Sequence, residues 1–386
     1  MTKSESARPK KMFGKHRRAL SSAAKIRRIF GLFLLSLLLG LGSLAATVIY
    51  NLQGNINQHD FTDLLKGAKR PGEVIPLDQK EGMPINVLLI GSDSRERTDP
   101  DSDITGMRSD TVMLVHISAD RQRADFVSIP RDTLVDIPSC QLTDDERSYP
   151  QKQQMFNTAF STGGIYGDVN AAATCTLRTV EKLTDVIIDG WVVIDFVAFQ
   201  GIVNTLGGVE MCFEEAIHEE LSGLDVAAGC HNLDGEQALA LARMRYGIDD
   251  GSDLSRIKRQ QELVGKIAEK MLSMNLASDL PKFYSIVKEI TQNLDTSSGL
   301  GNFRWLSGFL YSLRNLQVEN INFLTMPNHF APDQPGRVVP ADNADLVWAA
   351  LRRDMPISPE ILSGDKKIDS RLEESEKSGN NQLLNG

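Results

Sequence analysis

Two carboxylates and a guanidinium, Asp93, Asp110 and Arg131, each stand at the border of an apolar run in the first half of the chain. A second group, Arg243, Arg245, Arg256 and Gln260, lies far downstream. Carboxylates are hard oxygen donors that suit a cation such as Mg²⁺, and arginine grips phosphate oxygens with two hydrogen bonds at once. Brought to one place, these side chains would suit a divalent cation and a phosphate.

Three strands have to position the first group. Ile85–Ile90 is almost wholly apolar and stops at Gly91, as a buried strand does, leaving Asp93 just past its end. A second run, Thr111–Ile117, begins right after Asp110, and a third, Ala124–Ile129, is closed by Pro130 and followed by Arg131. The polar connection Ser118–Arg123 is short enough for a hairpin. In an antiparallel meander, the end of the first strand, the start of the second and the end of the third share one edge.

Charge divides the 386 residues into three zones. Residues 1–28 carry ten Lys/Arg against Glu5, a balance of +9, so the whole-chain −9 leaves −18 for residues 29–386. Between them, Ile29–Tyr50 has no charge; 22 helical residues reach about 33 Å, enough to cross a ~30 Å hydrocarbon core. The basic head belongs on the cytoplasmic side and everything after Tyr50 outside. A cleaved signal peptide competes, given Ser43-Leu44-Ala45, but the apolar run exceeds the usual ~7–15 residues. Nucleic-acid binding by the head is the weaker alternative beside topology control. All four cysteines fall on the outer side, where disulfides form. Of three pairings, Cys140 with Cys175 and Cys212 with Cys230 closes the shortest loops.

Residues 51–84, with Gly54, Gly67, Pro71, Gly72 and Pro76, read as a stalk, and the folded domain as 85–360 with its core over 85–274. Pro138–Gln154 reads as a loop, Val169–Leu183 as a helix leading through Val186-Ile187-Ile188 to a strand at Trp191–Ile194. Phe196–Leu206 should be an apolar helix ended by Gly207-Gly208, and Val209–Phe213 a returning strand. Asp234-x-x-Gln237 makes a capping box for a helix over Glu236–Arg243. Asp253 caps another, Leu254–Met274, with a core stripe of Leu254, Ile257, Val264, Ile267 and Met271. Phe283–Ile290 and Asn302–Leu313 are further amphipathic segments, and 361–386 is polar and disorder-prone. Such alternation implies an α/β fold, a three-layer α-β-α sandwich with a central mixed sheet, preceded by one transmembrane helix.

Arg243 and Arg245 face the same way only if their helix stops near Arg243, as Tyr246-Gly247 suggests. Arg256 lies in a first helical turn, where the dipole disfavours a cation unless an anion binds there. The plainer alternatives are that single arginines are solvated, paired Asp residues are turn formers, and Arg259 is exposed or bound to Glu262. Gly163-Gly164 and Gly207-Gly208 read as turns rather than phosphate loops. The histidines show no metal spacing, and Ser92 lacks the G-x-S-x-G context of a nucleophile elbow.

Gly91-Ser92-Asp93-Ser94-Arg95, Arg108-Ser109-Asp110-Thr111, Ser128–Thr133, Asn157-Thr158-Ala159-Phe160, Leu206-Gly207-Gly208-Val209 and Arg256–Gln261 occur in the order seen in LytR-CpsA-Psr proteins, and the likeness covers roughly 85–274. This resemblance implies an enzyme that moves a glycopolymer from a polyprenyl-pyrophosphate carrier onto a hydroxyl of peptidoglycan at the outer face of a single-pass membrane protein. It implies Asp93 and Asp110 as Mg²⁺ ligands, and Arg131, Arg243, Arg245, Arg256 and Gln260 as a pyrophosphate clamp helped by Arg95 and Arg108. Met155 stands where many members have a lysine, with Lys152 the nearest cation, and the segment between Asp93 and Asp110 is longer than usual. In the implied chemistry Asp93 is a candidate proton acceptor, and Trp191–Leu206, with Val192, Ile194, Phe196, Val197, Phe199 and Ile202, lines a lipid trough or simply the core. Competing functions are a polyprenyl-pyrophosphate phosphatase and a non-catalytic lipid-phosphate-binding regulator; a Gram-positive envelope is the expected setting. No DNA-reading fold is recognisable, so no nucleic-acid partner is expected.

Overall fold

The computed structural model describes residues 22–55, 57–72, 75–77, 80, 82–93, 107–244, 253–274, 285, 288, 294–301 and 303–362. The basic head up to residue 21, nearly all of Phe283–Ile290 and the tail beyond 362 lie outside the described residues. Two compact units divide the chain at 51/52. In the first, helix α1 (Ser22–Asn55) runs unbroken through the uncharged stretch 29–50. Several positions within it lie outside the described side chains, and among the described residues no helix is long and apolar enough to cross a membrane.

The second unit is built on a mixed seven-stranded sheet in the order β1 (Asn57–His59), β12 (Asp295–Ser297), β7 (Gly190–Ile194), β2 (Ile85–Ser92), β3 (Ser109–Ile117), β4 (Ala124–Ser128), β13 (Ile321–Thr325). Strands β2, β3 and β4 form the antiparallel meander expected from their apolar runs. On β7 and β13 the sheet turns parallel. Alternation decides the faces: Leu88 and Ile90 of β2 are fully buried on one side, while Val87 and Leu89 pack on the other.

Helices cover both faces. On the first lie α2 (Thr158–Gly163), α3 (Val169–Thr184) and α8 (Ala344–Arg352), whose Phe160, Leu177, Val347 and Trp348 join Leu88 and Leu114 in the main core. Against the second lie α6 (Asp253–Leu272) and α7 (Phe303–Ser312), Phe309 of α7 packing, like Leu89 and Phe126, on the cluster of Val115, Ile117 and Ala124. A smaller cluster joins α4 (Phe196–Leu206), β8 (Val209–Phe213), β9 (Ile217–Glu219), β10 (Leu224–Val226), β11 (Gly229–Leu233) and α5 (Gly235–Arg243) to Leu263 of α6. Helix α4 ends where Gly207 turns left-handed at φ 79°, and α5 carries the complete Asp234/Gln237 capping box. Both short-loop disulfides form, Cys140–Cys175 and Cys212–Cys230, the latter bridging directly paired residues of β8 and β11.

Three expectations need correction. The stretch read as a stalk belongs to the folded body: β1 is an edge strand of the main sheet, Phe61 sits in the main core, and Arg70 is paired with buried Glu181 and donates to the Ile188 carbonyl at 2.7 Å. The loop read over 138–154 ends in strand β6 (Gln151–Met155), which pairs with β5 (Leu134–Ile137). Its Gln-Lys-Gln-Gln-Met sequence has no apolar alternation, so no periodic signal marked it. The core stripe proposed for α6 is only partly right: Ile257 is buried and Ile267 packs against the smaller cluster, while Leu254, Val264 and Met271 are half-buried.

Gly163 closes α2 against α3. A Cβ there would lie 2.7 Å from Cys175 Cβ and closer still to the Ala171 carbonyl oxygen, a backbone atom that cannot swing aside. We expect Gly163→Ala to lower unfolding free energy by about 1–3 kcal/mol in a urea titration, the cost of overpacking; unchanged stability would contradict this close approach.

Candidate active site

The acidic corner forms where β2 and β3 run out of register. Gly91 pairs with Thr111, but Ser92 pairs with Ser109, so Asp110 is left as the extra residue of a bulge. Bulges re-aim side chains at sheet edges. The strand therefore starts before Asp110, not after it as its apolar run suggests. Asp93 is fixed across the same edge. Its backbone N–H donates to the Arg108 carbonyl at 3.2 Å, and its Oδ1 accepts the Arg108 backbone N–H at 2.9 Å. Burial pushes the Asp93 carboxyl above its ordinary value, the Arg108 amide opposes this, and the charge of Asp110 adds to the rise.

Arg131 follows Pro130 at the end of β4, and its backbone is held from the far side. The Asn157 N–H donates to the Arg131 carbonyl at 3.1 Å, and Phe156 N–H to that of Thr133 at 2.8 Å. With Phe156, Ala159 and Phe160 fully buried, the Asn157–Phe160 motif acts as the bracket behind Arg131. The guanidinium meets three carboxylates: Asp110 at 2.9 Å, Asp253 at 3.2 Å and Asp132 at 3.6 Å. Burial opposes its charge, but Asp253, Asp110 and Asp132 outweigh that and raise its pKa.

Helix α6 brings the downstream group. Arg256 is buried and paired with Asp253 three residues earlier. Gln260 accepts from Thr111 Oγ1 at 2.9 Å and donates to the Ala242 carbonyl at 3.0 Å. Gln261 donates to Ser128 Oγ at 2.8 Å. Arg259 is 6% exposed and donates to the Met244 carbonyl at 2.8 Å, correcting the expectation that it faces solvent or Glu262. The Arg256–Gln261 motif is thus a buried polar seam binding α6 to α5, β3 and β4, with Gln260 spent on that seam. Helix α5 stops at Arg243 with Met244 extended (ψ 135°), and the Arg243 guanidinium lies 4.8 Å over the Phe196 ring.

Part of this set borders a cavity of about 350 Å³, whose lining does not include Asp93 or Arg131. Asp110, Arg243, Arg256 and Gln260 stand on its wall together with Asp195, the N-cap of α4, and Glu219; Ser92, Thr111 and Ser222 add hydroxyls, and the remainder is mostly apolar, including Leu89, Ile194, Phe196, Phe199 and Leu263. Of the trough residues expected from 191–206, Ile194, Phe196 and Phe199 line this cavity, while Val192 packs with Trp305 and Phe309 elsewhere. Arg95 and Arg245 lie outside the described residues; Arg108 is exposed at the Asp93 edge. Asp132 and Asp253 were given no site role from sequence. An acid three residues before a first-turn arginine was the signal available for Asp253.

Among the described residues no cluster of three His, Cys, Asp or Glu is arranged to hold a metal by itself. The neighbouring carboxylates of Asp93 and Asp110 nevertheless fit Mg²⁺, which needs one or two such ligands and fills its sphere with water and phosphate oxygens.

The LytR_cpsA_psr family model matches residues 48–352. Biofilm regulatory protein A of Streptococcus mutans is 32% identical over 284 residues, covering 71% of this chain and 64% of that protein. The polyisoprenyl-teichoic acid–peptidoglycan teichoic acid transferase TagT of Bacillus subtilis is 30% identical over 287 residues, 73% of this chain and 80% of the relative. Among solved structures, protein gbs0355 of Streptococcus agalactiae superposes with TM-score 0.57 at 24% identity, over 72% of this chain and 91% of that one. TagT bound to LI-WTA gives 0.53 at 24%, over 76% and 98%. These likenesses show the fold.

Replacing Arg259 by Met would keep the buried stem and strip the Met244 carbonyl of its charged donor. The expected loss is about 1.5–3 kcal/mol of unfolding free energy by chemical denaturation; a loss under roughly 0.5 kcal/mol, the range of an ordinary surface change, would contradict the seam.

Proposed function

Because this chain belongs to the LytR_cpsA_psr family, we propose that it transfers a glycopolymer from polyprenyl pyrophosphate onto a hydroxyl of peptidoglycan. The observation that carries this reading is one cavity lined both by guanidinium and carboxylate groups and by a larger set of apolar side chains. A diphosphate fits against Arg243 and Arg256, with Arg131 next to the wall at Asp110, and the first units of a polyprenyl chain fit against Ile194, Phe196, Phe199 and Leu263. The acid-transferase name of the TagT relative agrees with it. Helix α1, uncharged over 29–50, and the two disulfides support an outward-facing domain on a single-pass anchor with a cytoplasmic head.

In this mechanism the acceptor oxygen forms a bond to the sugar-bearing phosphorus, the bond from that phosphorus to the bridging diphosphate oxygen breaks, and polyprenyl phosphate leaves. Arg131 and Arg256 offset the charge that develops on the leaving phosphate, and Arg243, braced on Phe196, holds a phosphate oxygen. Asp93 and Asp110 would hold Mg²⁺, which neutralises phosphate charge when bound. Asp93, its carboxyl raised by burial, is the candidate to receive the hydroxyl proton.

Purified protein given Mg²⁺, a polyprenyl-pyrophosphate-linked sugar and peptidoglycan should attach the sugar and release polyprenyl phosphate. Asp110→Ala or Arg131→Ala should lower kcat by roughly 10²–10³-fold, the usual cost of one transition-state contact. Undiminished turnover in both, phosphate release without sugar attachment, or binding without turnover would each reject the transfer reading. A cation at Asp93 must displace a proton from a carboxyl whose pKa is raised. Metal affinity, measured calorimetrically, should therefore fall as pH drops through that raised value and level off above it; a pH-independent affinity would remove Asp93 from the metal site.

A further inference from the structure

We propose that Asp253 is a positioning residue that sets the spacing of two guanidiniums, half-buried Arg131 and buried Arg256, on which the diphosphate is gripped. This inference rests on the transfer reading above for its chemistry, but its geometry stands on the fold. Arg131 arrives from the end of β4 and Arg256 from the first turn of α6. Two like charges from separate elements repel unless a carboxylate lies between them. Asp253 Oδ1 is that carboxylate, 3.2 Å from Arg131 Nε and also bonded to Arg256 Nη2. Asp110 and Asp132 hold Arg131 too, but only Asp253 is seen to touch both arginines among the described residues.

Asp253 stays behind the cavity. Arg256 and Asp110 are on the cavity wall, whereas Asp253 is not and reaches the wall only through its contacts with Arg256 and, by way of Arg131, Asp110. Its side chain is 14% exposed, and its Oδ2 is buried with no hydrogen-bond partner among the described residues. Leaving a buried carboxylate oxygen unmatched is costly, and the cost is understandable where the charge is needed between two cations. An acid in the first turn of α6 also favours the helix dipole. That local role is the plainer explanation, and it predicts lost stability with normal chemistry.

The test compares full-length Asp253→Asn and Asp253→Glu with wild type, using a farnesyl-diphosphate-linked N-acetylglucosamine as donor with Mg²⁺ and peptidoglycan. Misaligned catalytic groups typically cost on the order of 10²-fold. Asp253→Asn should lose about that much in kcat without a rise in donor KM, since removing a negative charge does not weaken anion binding. Asp253→Glu, keeping the charge, should recover part of the loss. Crystals of Asp253→Asn with inorganic pyrophosphate should show the Arg131 and Arg256 guanidiniums moved apart relative to wild type. Unchanged kcat, a change confined to KM, or guanidiniums in their wild-type places would overturn the proposal. Should wild type leave the donor intact, the transfer reading fails, and the guanidinium positions in those crystals still decide this one.

Discussion

The buried polar seam along α6 is the constraint on which the rest of the site depends. Arg259 and Gln260 fasten the helix to the end of α5, Gln260 also fastens it to β3, and Gln261 fastens it to β4. Each bond is made out of water, where an unmatched donor or acceptor costs far more than a made bond gains. The helix can therefore dock in one register only. That register brings Arg256 to the cavity and beside Asp253, Arg131 and the acidic corner, and its bonds to the end of α5 lie next to Arg243 on the same cavity's wall.

Against that fixed helix, the sheet supplies an irregularity. A bulge at Asp110 breaks the β2–β3 ladder where regular pairing would have continued, and the Asp93–Arg108 exchange closes the edge just beyond it. Arg131 lies between the two halves, engaged by Asp110 from the sheet and Asp253 from the helix. Acids thus balance the arginines before any phosphate arrives. A diphosphate has to compete with carboxylates already in place, which favours entry together with a cation that draws off part of the acidic charge.

Much of the scaffold was legible in sequence because its signals are local. The meander followed from three apolar runs, α4 from Phe196–Leu206 and its glycine stop, and α5 from a capping box that forms as written. The short-loop disulfide pairing also holds. What escaped depends on partners distant in the chain. β1 is a three-residue edge strand whose only reason to be extended is β12, more than two hundred residues later. The glutamine-rich β6 has no alternation to announce it. Arg259 and Gln261 look like an exposed helical face until the α5 carbonyl and Ser128 are placed opposite them. Asp93, Asp110, Arg131, Arg243, Arg256 and Gln260 were marked by motif order, and the fold brings them to one region. Asp110's bulge and the contact of Asp253 with Arg131 depend on neighbours from other elements that no local pattern announces.

The account's central claim is that the early carboxylates and the late guanidiniums address the same diphosphate. A crystal structure of the full chain soaked with Mn²⁺ and inorganic pyrophosphate, with Mn²⁺ located by anomalous scattering, tests it most directly. The account predicts one Mn²⁺ between Asp93 and Asp110 sharing oxygens with a pyrophosphate held by Arg131, Arg243 and Arg256. Pyrophosphate bound away from those arginines, or Mn²⁺ bound away from both carboxylates, would contradict it.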